Sequence, residues 1–392
     1  MPDTSAPSPH LPALAMAAAS GMAVANIYYN QPMLALVRQD LPGATTALLP
    51  TVTQLGYALG LILIVPLGDL MERRRLIVVQ FLLLAVALGF IAVAPSPWLL
   101  LVAAAAVGAA ATVAQQIVPL AATLAPPERR GAVVGTVMSG LLCGILLSRT
   151  LSGFVSAHWG WRAMFGVAVP IALVGAGMMA ARLPQSRPAQ ALRYPALIAS
   201  LADLWRRFPD LRVGAITQAL LFGSFSVFWS MLALHLQEPR YNLGAATAGL
   251  FGVIGIVGVG AAPVVGRVAD RYGPRPMIVG GAVIVLLSWV IFALWNSLAG
   301  LVAGVILLDF GVQVALISNQ HVVYALQPEA RARINTVFMA VMFLGGAGGS
   351  FAAAWGWAHA GWSGVALVGL IASGTAAAIQ IAAMLRARRQ AT

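Results

Sequence analysis

Along most of the chain the apolar residues come in unbroken runs, separated by short polar turns rich in arginine, glycine and proline. Each run is about the length that crosses a bilayer as a helix, roughly 20 residues. Twelve spans are predicted, at 13–37, 48–70, 76–94, 97–124, 132–157, 161–182, 212–237, 245–268, 276–294, 298–326, 335–358 and 363–385, numbered 1 to 12 in that order. In lipid a backbone must satisfy its own hydrogen bonds, so runs of this kind predict an all-α integral membrane protein. Glycines gather inside span 8 (Gly252, Gly255, Gly258, Gly260) and span 11 (Gly345, Gly346, Gly348, Gly349), and Pro32, Pro66, Pro119 and Pro263 interrupt other spans. Small residues admit close helix approach and proline frees backbone groups, so these positions are expected to pack tightly or bend.

The turn between spans 2 and 3, VPLGDLMERRRL at 65–76, returns about 200 residues later as VGRVADRYGPRPMIV at 265–279. Asp69 aligns with Asp270 and Arg73 with Pro274, and Glu128-Arg129-Arg130 is echoed by Glu329-Ala330-Arg331. A repeat that includes turns as well as apolar runs implies a duplicated half. The expected organisation is a tail at 1–12, a six-helix half at 13–182, a central loop at 183–211, a second half at 212–385 and a basic tail at 386–392. Within the loop, 194–208 has apolar residues at helical spacing with arginines opposite. That pattern fits an interfacial amphipathic helix, and equally a plain linker carrying charge.

Composition agrees: 60% of residues are hydrophobic and 9% charged, where a soluble domain carries about a quarter charged. The net charge is +12, and every basic residue is an arginine. A nucleic-acid-binding face would gather them in one patch, whereas here they occupy the turns, so nucleic acid is excluded as a partner. Nineteen lie on one side of the predicted spans, three (Arg38, Arg162, Arg240) on the other. By the positive-inside rule both termini and the central loop face the cytoplasm of a bacterial inner membrane. The lone Cys143 leaves no room for a disulfide or cysteine cluster, and residues 1–12 lack the basic start of a signal peptide.

Two charges lie deep within spans, Arg149 in span 5 and Asp309 in span 10. A charge at the bilayer centre costs about 3 kcal/mol or more, so it is kept for a partner or a task. One reading is a fixed Arg–Asp pair that holds the halves together. The other is proton exchange, because burial favours the neutral acid while a nearby guanidinium favours the carboxylate. Polar residues also repeat at helical spacing on four spans. They are Asn26, Tyr29 and Asn30, flanked by Tyr28 and Gln31, on span 1, and Thr112, Gln115, Gln116 and Thr123 on span 4. Span 7 carries Gln218, Phe222, Phe225, Ser226 and Trp229, and span 10 carries Asp309, Gln313, Gln320 and Tyr324 beside Asn319 and His321. Such faces must look into a cavity or at another helix. Four of them, on the first and fourth span of each half, predict a central polar path. Its few charges suit a neutral or weakly polar solute, a sugar or an amphipathic drug alike. An intramembrane enzyme is the rival reading, but no HExxH occurs and Asp309 is the only acid deep in a span. No GxxxxGK[ST] is present to bind ATP.

These features together resemble the major facilitator superfamily over nearly the whole chain. The loop pattern of that family, Gly, three residues, Asp, Arg, any, Gly, is matched by Gly266, Asp270, Arg271 and Gly273. The first copy departs, with Val65 for the opening Gly, Leu70 for the Arg and Glu72 for the second Gly, but keeps Asp69, Arg73 and Arg74. The resemblance implies a twelve-helix fold in two halves and a cytoplasmic gate in which Asp69 faces the positive end of a helix in the other half. The segments ANIYYNQPML (25–34) and GILLSRTLSGFVSAHWGWRAMF (144–165) are similar to the sugar-efflux and drug-efflux branch. It departs from the drug-exporter pattern in span 5, where Ile145 stands for a proline and Arg149 for a glycine, and no arginine lies in span 4. The implied function is secondary transport of a small molecule by alternating access, without cofactor and as a monomer. Proton-coupled efflux by antiport is the first expectation, and uptake by proton symport the alternative.

Overall fold

The computed structural model describes residues 10–186, 193–255 and 273–391. The first half contains α1 (His10–Ala25), α2 (Asn30–Asp40), α3 (Leu49–Leu63), α4 (Arg73–Ala92), α5 (Pro97–Ala111), α6 (Val113–Leu124), α7 (Arg130–Trp159) and α8 (Trp161–Arg182). Then follow α9 (Tyr194–Arg207), α10 (Pro209–Leu236), α11 (Ala245–Ile254), α12 (Pro274–Leu294), α13 (Leu298–Tyr324) and α14 (Arg331–Ala391). Among the described residues nine helices are long and apolar enough to cross a membrane. The remaining three of the twelve spans are accounted for by breaks. Helix α14 is two spans joined where Ala360 and Gly361 leave helical geometry, and Gly361 takes φ 55°, a left-handed angle that costs glycine no Cβ clash. Of span 8, expected at 245–268, the described residues hold α11, and the rest lies outside them. Span 1, expected to be continuous, is divided into α1 and α2.

The division of span 1 has a local cause. Pro32 has no N–H, and its ring crowds the carbonyl four residues back, that of Tyr28. That carbonyl accepts instead from the amide of Gln31 at 3.2 Å. One turn earlier the Asn26 side chain donates to the carbonyls of Met22 at 2.7 Å and Ala23 at 3.1 Å. Span 4 breaks in a related way at Thr112. Its hydroxyl donates back to the Ala109 carbonyl at 2.6 Å and accepts from Gln80 of α4 at 3.2 Å.

The duplication is visible in how the helices pack. In the first half α1 lies along α7 through Ala17, Gly21, Gly140 and Gly144, where a Cβ added at Gly144 would stand 2.3 Å from the Gly21 carbonyl. In the second half α10 lies along α14 through Ala219, Gly223, Gly345 and Gly349, where a Cβ added at Gly349 would stand 2.2 Å from the Gly223 carbonyl. Both seams are rows of small residues that let backbones touch, the usual solution where lipid removes the hydrophobic drive. The halves meet along α7 against α11 and α3 against α14, and Gly153 packs on Gly249 at the first of these seams.

Outward faces stay apolar, with Leu83, Val86, Leu147 and Leu367 exposed for lipid. Trp98, Trp159, Trp295 and Trp355, all exposed, ring the arginine-poor end, as aromatic belts do at an interface. Helix α9 occupies the arginine-rich end. Its Leu197, Leu201 and Leu204 are buried, the last two against Leu211, Val323, Ile334 and Phe338 of the second half. Tyr194 donates to the Leu63 carbonyl of the first half at 2.8 Å. Of the two readings of the central loop, the helix is the one formed, and its apolar face is covered by protein.

Candidate functional site

Arg149 stands ten residues before the end of α7, and Asp309 eleven residues after the start of α13. At about 1.5 Å per residue, both lie about 15–17 Å in from the arginine-poor end, near mid-membrane. Arg149 is 1% exposed and Asp309 6%. The glycines of α11 make room for both: a Cβ at Gly252 would sit 2.9 Å from the Arg149 Cβ, and one at Gly255 would sit 2.3 Å from Asp309 Oδ2.

The two charges do not form a direct ion pair among the described residues. Trp229 of α10 stands between them. Its indole N–H donates to Asp309 Oδ1 at 3.4 Å, and its ring lies 4.0 Å from the Arg149 guanidinium carbon. The rings of Tyr28 at 4.7 Å and Phe225 at 5.4 Å complete the surround. A guanidinium over aromatic faces gains electrostatically, the more so when desolvated. Arg149 Nε donates to Gln31 Oε1 at 2.9 Å, while its Nη2 is buried without a hydrogen-bond partner. Phe222 stacks on Phe225, centroids 5.5 Å apart. The centre is therefore built by span 1, span 5, span 7, span 8 and span 10, from both halves.

Beside it a polar knot ties the halves. Gln54 Nε2 donates to the Ser350 hydroxyl at 2.9 Å, and Gln54 Oε1 accepts from Ser226 at 3.1 Å. Ser230 and Ser350 share a further bond of 2.9 Å. Gln54, Ser230 and Ser350 were not among the residues singled out above. Gln54 was detectable, being the one amide in span 2. The serines carry no such signal, since serine in a span commonly bonds its own helix backbone.

The predicted polar stripes divide rather than joining in one path. Asn26 is occupied at the break in span 1, and Asn30 donates to Thr53 at 3.0 Å. Tyr29 is buried in the apolar core. Gln218 accepts from Asn319 at 3.3 Å, and the Tyr324 hydroxyl donates to Asn335 at 2.5 Å. Gln313 and Gln320 are half-buried. Gln115 donates to the Tyr57 hydroxyl and Gln116 to the Ile64 carbonyl, each at 3.2 Å. Both glutamines line a second cavity, of about 70 Å³, at the arginine-rich end.

That cavity holds the first copy of the loop pattern. Asp69 pairs with Arg73 at 3.1 Å, and both share the cavity wall with Arg333 and Thr336 from the first turns of α14. The carboxylate thus lines the same cavity as the first turns of a helix of the other half. Arg74 is half-buried, and its backbone amide bonds to Glu72 at 3.2 Å. Glu72, which departs from the family pattern, is the N-cap of α4 and also accepts from the Arg75 amide at 2.9 Å. In the second copy, Gly273 caps α12 with φ 84°, while Gly266, Asp270 and Arg271 lie outside the described residues.

The family model of the Major Facilitator Superfamily matches residues 14–264 and 214–392. The transporter YgaY of Escherichia coli K12 is 41% identical over 359 residues, spanning 90% of this chain and 91% of that protein. A protein of Helicobacter acinonychis named probable sugar efflux transporter is 27% identical over 267 residues, 64% of this chain and 66% of the other. Among solved structures, the nucleoside transporter NupG has the same fold, with a TM-score of 0.77 at 12% identity over 96% of this chain and 99% of that one.

Proposed function

The chain belongs to the major facilitator superfamily, and on that premise we propose that it is a proton-coupled secondary transporter of a small organic molecule. One observation carries the reading. Asp309 is a buried acid at mid-membrane, held by Trp229 and near Arg149 without being paired to it. An acid locked in an ion pair has no freedom to exchange its proton, whereas one hydrogen bond from an indole leaves it free to do so. The helices that surround it come from both halves, so rocking of the halves exposes it to each side in turn.

Asp69 serves the gate at the arginine-rich end, which the positive-inside distribution assigns to the cytoplasm of an inner membrane. The protein acts as a monomer, since each chain contributes both halves. Export is the direction proposed, on the similarity to a protein named as a sugar efflux transporter. Uptake with a co-transported proton is the second reading, and the buried Nη2 of Arg149, which has no hydrogen-bond partner among the described residues, favours it.

The test is made in proteoliposomes of known orientation loaded with a pH-sensitive dye. A panel of small organic solutes is added, and a solute-triggered proton flux is sought. The reading requires at least one solute to move protons in wild-type protein and none to do so in Asp309→Asn. Proton flux that survives in the variant would end the assignment. The sign of the flux separates exchange from co-transport.

A further inference from the structure

The two central charges differ in what satisfies them. Asp309 accepts the indole N–H of Trp229 on one oxygen, and its other oxygen lies close beside Gly255. Arg149 is 1% exposed, yet it has one neutral acceptor on Nε and an Nη2 with no partner. We propose that Arg149 is the docking point of the substrate's negative group. The substrate is then a small organic anion with a flat apolar portion, and it travels together with a proton on Asp309. This rests on the central-site reading given above in its second form, uptake with a co-transported proton.

Three observations support the class. The guanidinium presents paired N–H donors in one plane, and a carboxylate matches that edge with two parallel hydrogen bonds. A buried cation whose charge is not neutralised by contact is costly, and an anionic ligand relieves that cost as a neutral sugar does not. The walls at Arg149 are the rings of Tyr28, Phe225 and Trp229, which suit a flat apolar body and offer no second charge.

Charge counting then couples the ligand to the proton. With Asp309 ionised the centre is neutral, and an anion would leave it at minus one. With Asp309 protonated the centre is plus one, and the same anion neutralises it. Proton and anion therefore favour one another's binding. Among the described residues the groups near Asp309 are few: Arg149 from α7 carries charge, with Tyr28 from the break before α2 against its guanidinium, while α10 offers Trp229 and the end of α11 is followed by Gly255. A cationic solute would meet the reverse situation, repelled by Arg149 and competing with the proton.

Benzoate, benzamide and benzylamine share one ring and differ in charge, so they serve as probes. Their binding to the full chain in lipid nanodiscs is measured by calorimetry at pH 6 and pH 8. Benzoate is expected to bind at least tenfold more tightly than the other two, and more tightly at pH 6. Arg149→Gln should bring benzoate and benzamide within twofold of each other, while Arg149→Lys should keep part of the preference, separating lost charge from lost folding. Benzoate binding no better than benzamide in the wild type, or an unchanged preference in Arg149→Gln, overturns the proposal. In Asp309→Asn the preference for benzoate should persist without its pH dependence. A persistent pH dependence there removes the proton coupling and leaves the Arg149 site standing, so the two failures are distinguishable.

Discussion

Asp309 shows how little holds a functional charge in place, since one indole N–H and one glycine backbone define its position. If it carries the coupled proton, Asp309→Asn should abolish gradient-driven accumulation while counterflow exchange of labelled solute continues. Loss of both activities together, in a protein that still inserts, would assign Asp309 to substrate binding instead. Glu72 is a residue whose role is structural, since besides the amides of its own helix it accepts from the Ser186 amide at 3.2 Å. It caps α4 by accepting from the amides of Arg74 and Arg75, so Glu72→Ala should lower stability by about 0.5–2 kcal/mol, the usual worth of an N-cap. A shift in the thermal midpoint of the purified protein, with transport per folded molecule unchanged, would bear this out. The deviation from the family pattern at this position is thus a capping choice.

At the level of the helix, the informative positions are those where a side chain is missing. Gly144 and Gly349 occupy equivalent places in the α1–α7 and α10–α14 seams, each a little over 2 Å from a carbonyl in the added-Cβ sense. Substituting either with leucine should therefore destabilise the protein by a similar amount, about 1–3 kcal/mol, the range for overpacking. Gly177 of α8 has nothing within 4 Å of such a Cβ, so Gly177→Ala should be neutral or slightly stabilising, as helix propensity alone dictates. Unequal losses at the two seams, read from denaturation midpoints, would show that the halves are not energetically equivalent. Glycine clusters were visible in the sequence as candidates for close approach. Which glycine touches which carbonyl was not, because partner choice depends on how six helices of similar surface are arranged around one another.

The whole molecule has two halves and two ends. Tags inserted at Gly43, Asn242 and Trp362 should report the outside, and tags at Pro127 and after Thr392 the inside; one clean reversal would break the twelve-span arrangement. The halves are joined at two levels. Gln54 with Ser226 and Ser350 joins them at mid-depth, and the proposed gate sets Asp69 in one cavity with the first turns of α14 at the arginine-rich end. Asp69→Asn should weaken that closure by about 0.3–2 kcal/mol, the worth of a charge at a helix terminus. Single cysteines at the nearby ends of α6 and α13 should then label faster with a membrane-impermeant maleimide. Unchanged labelling would show that Arg73 alone keeps the turn in place.

The sequence by itself determined the solvent, the number of crossings and the duplication. Each follows from local quantities: the length of an apolar run, the position of a charge and the return of a turn. It also singled out Arg149 and Asp309, because a charge in lipid is conspicuous whatever surrounds it. Only the tertiary structure decided their relation. Sequence order does not say that Trp229 enters between them, that Gln31 takes the Nε donor, or that Gln115 and Gln116 turn to the gate cavity. The helical stripe of Asn26 and Asn30 predicted a cavity face, yet the N–H groups of those amides are spent on the break before Pro32 and on Thr53. A polar side chain in a span has several ways to be satisfied, and spacing along one helix does not choose among them. The choice is made by which backbone or neighbour lies within 3 Å, and that is set by packing between helices far apart in the chain.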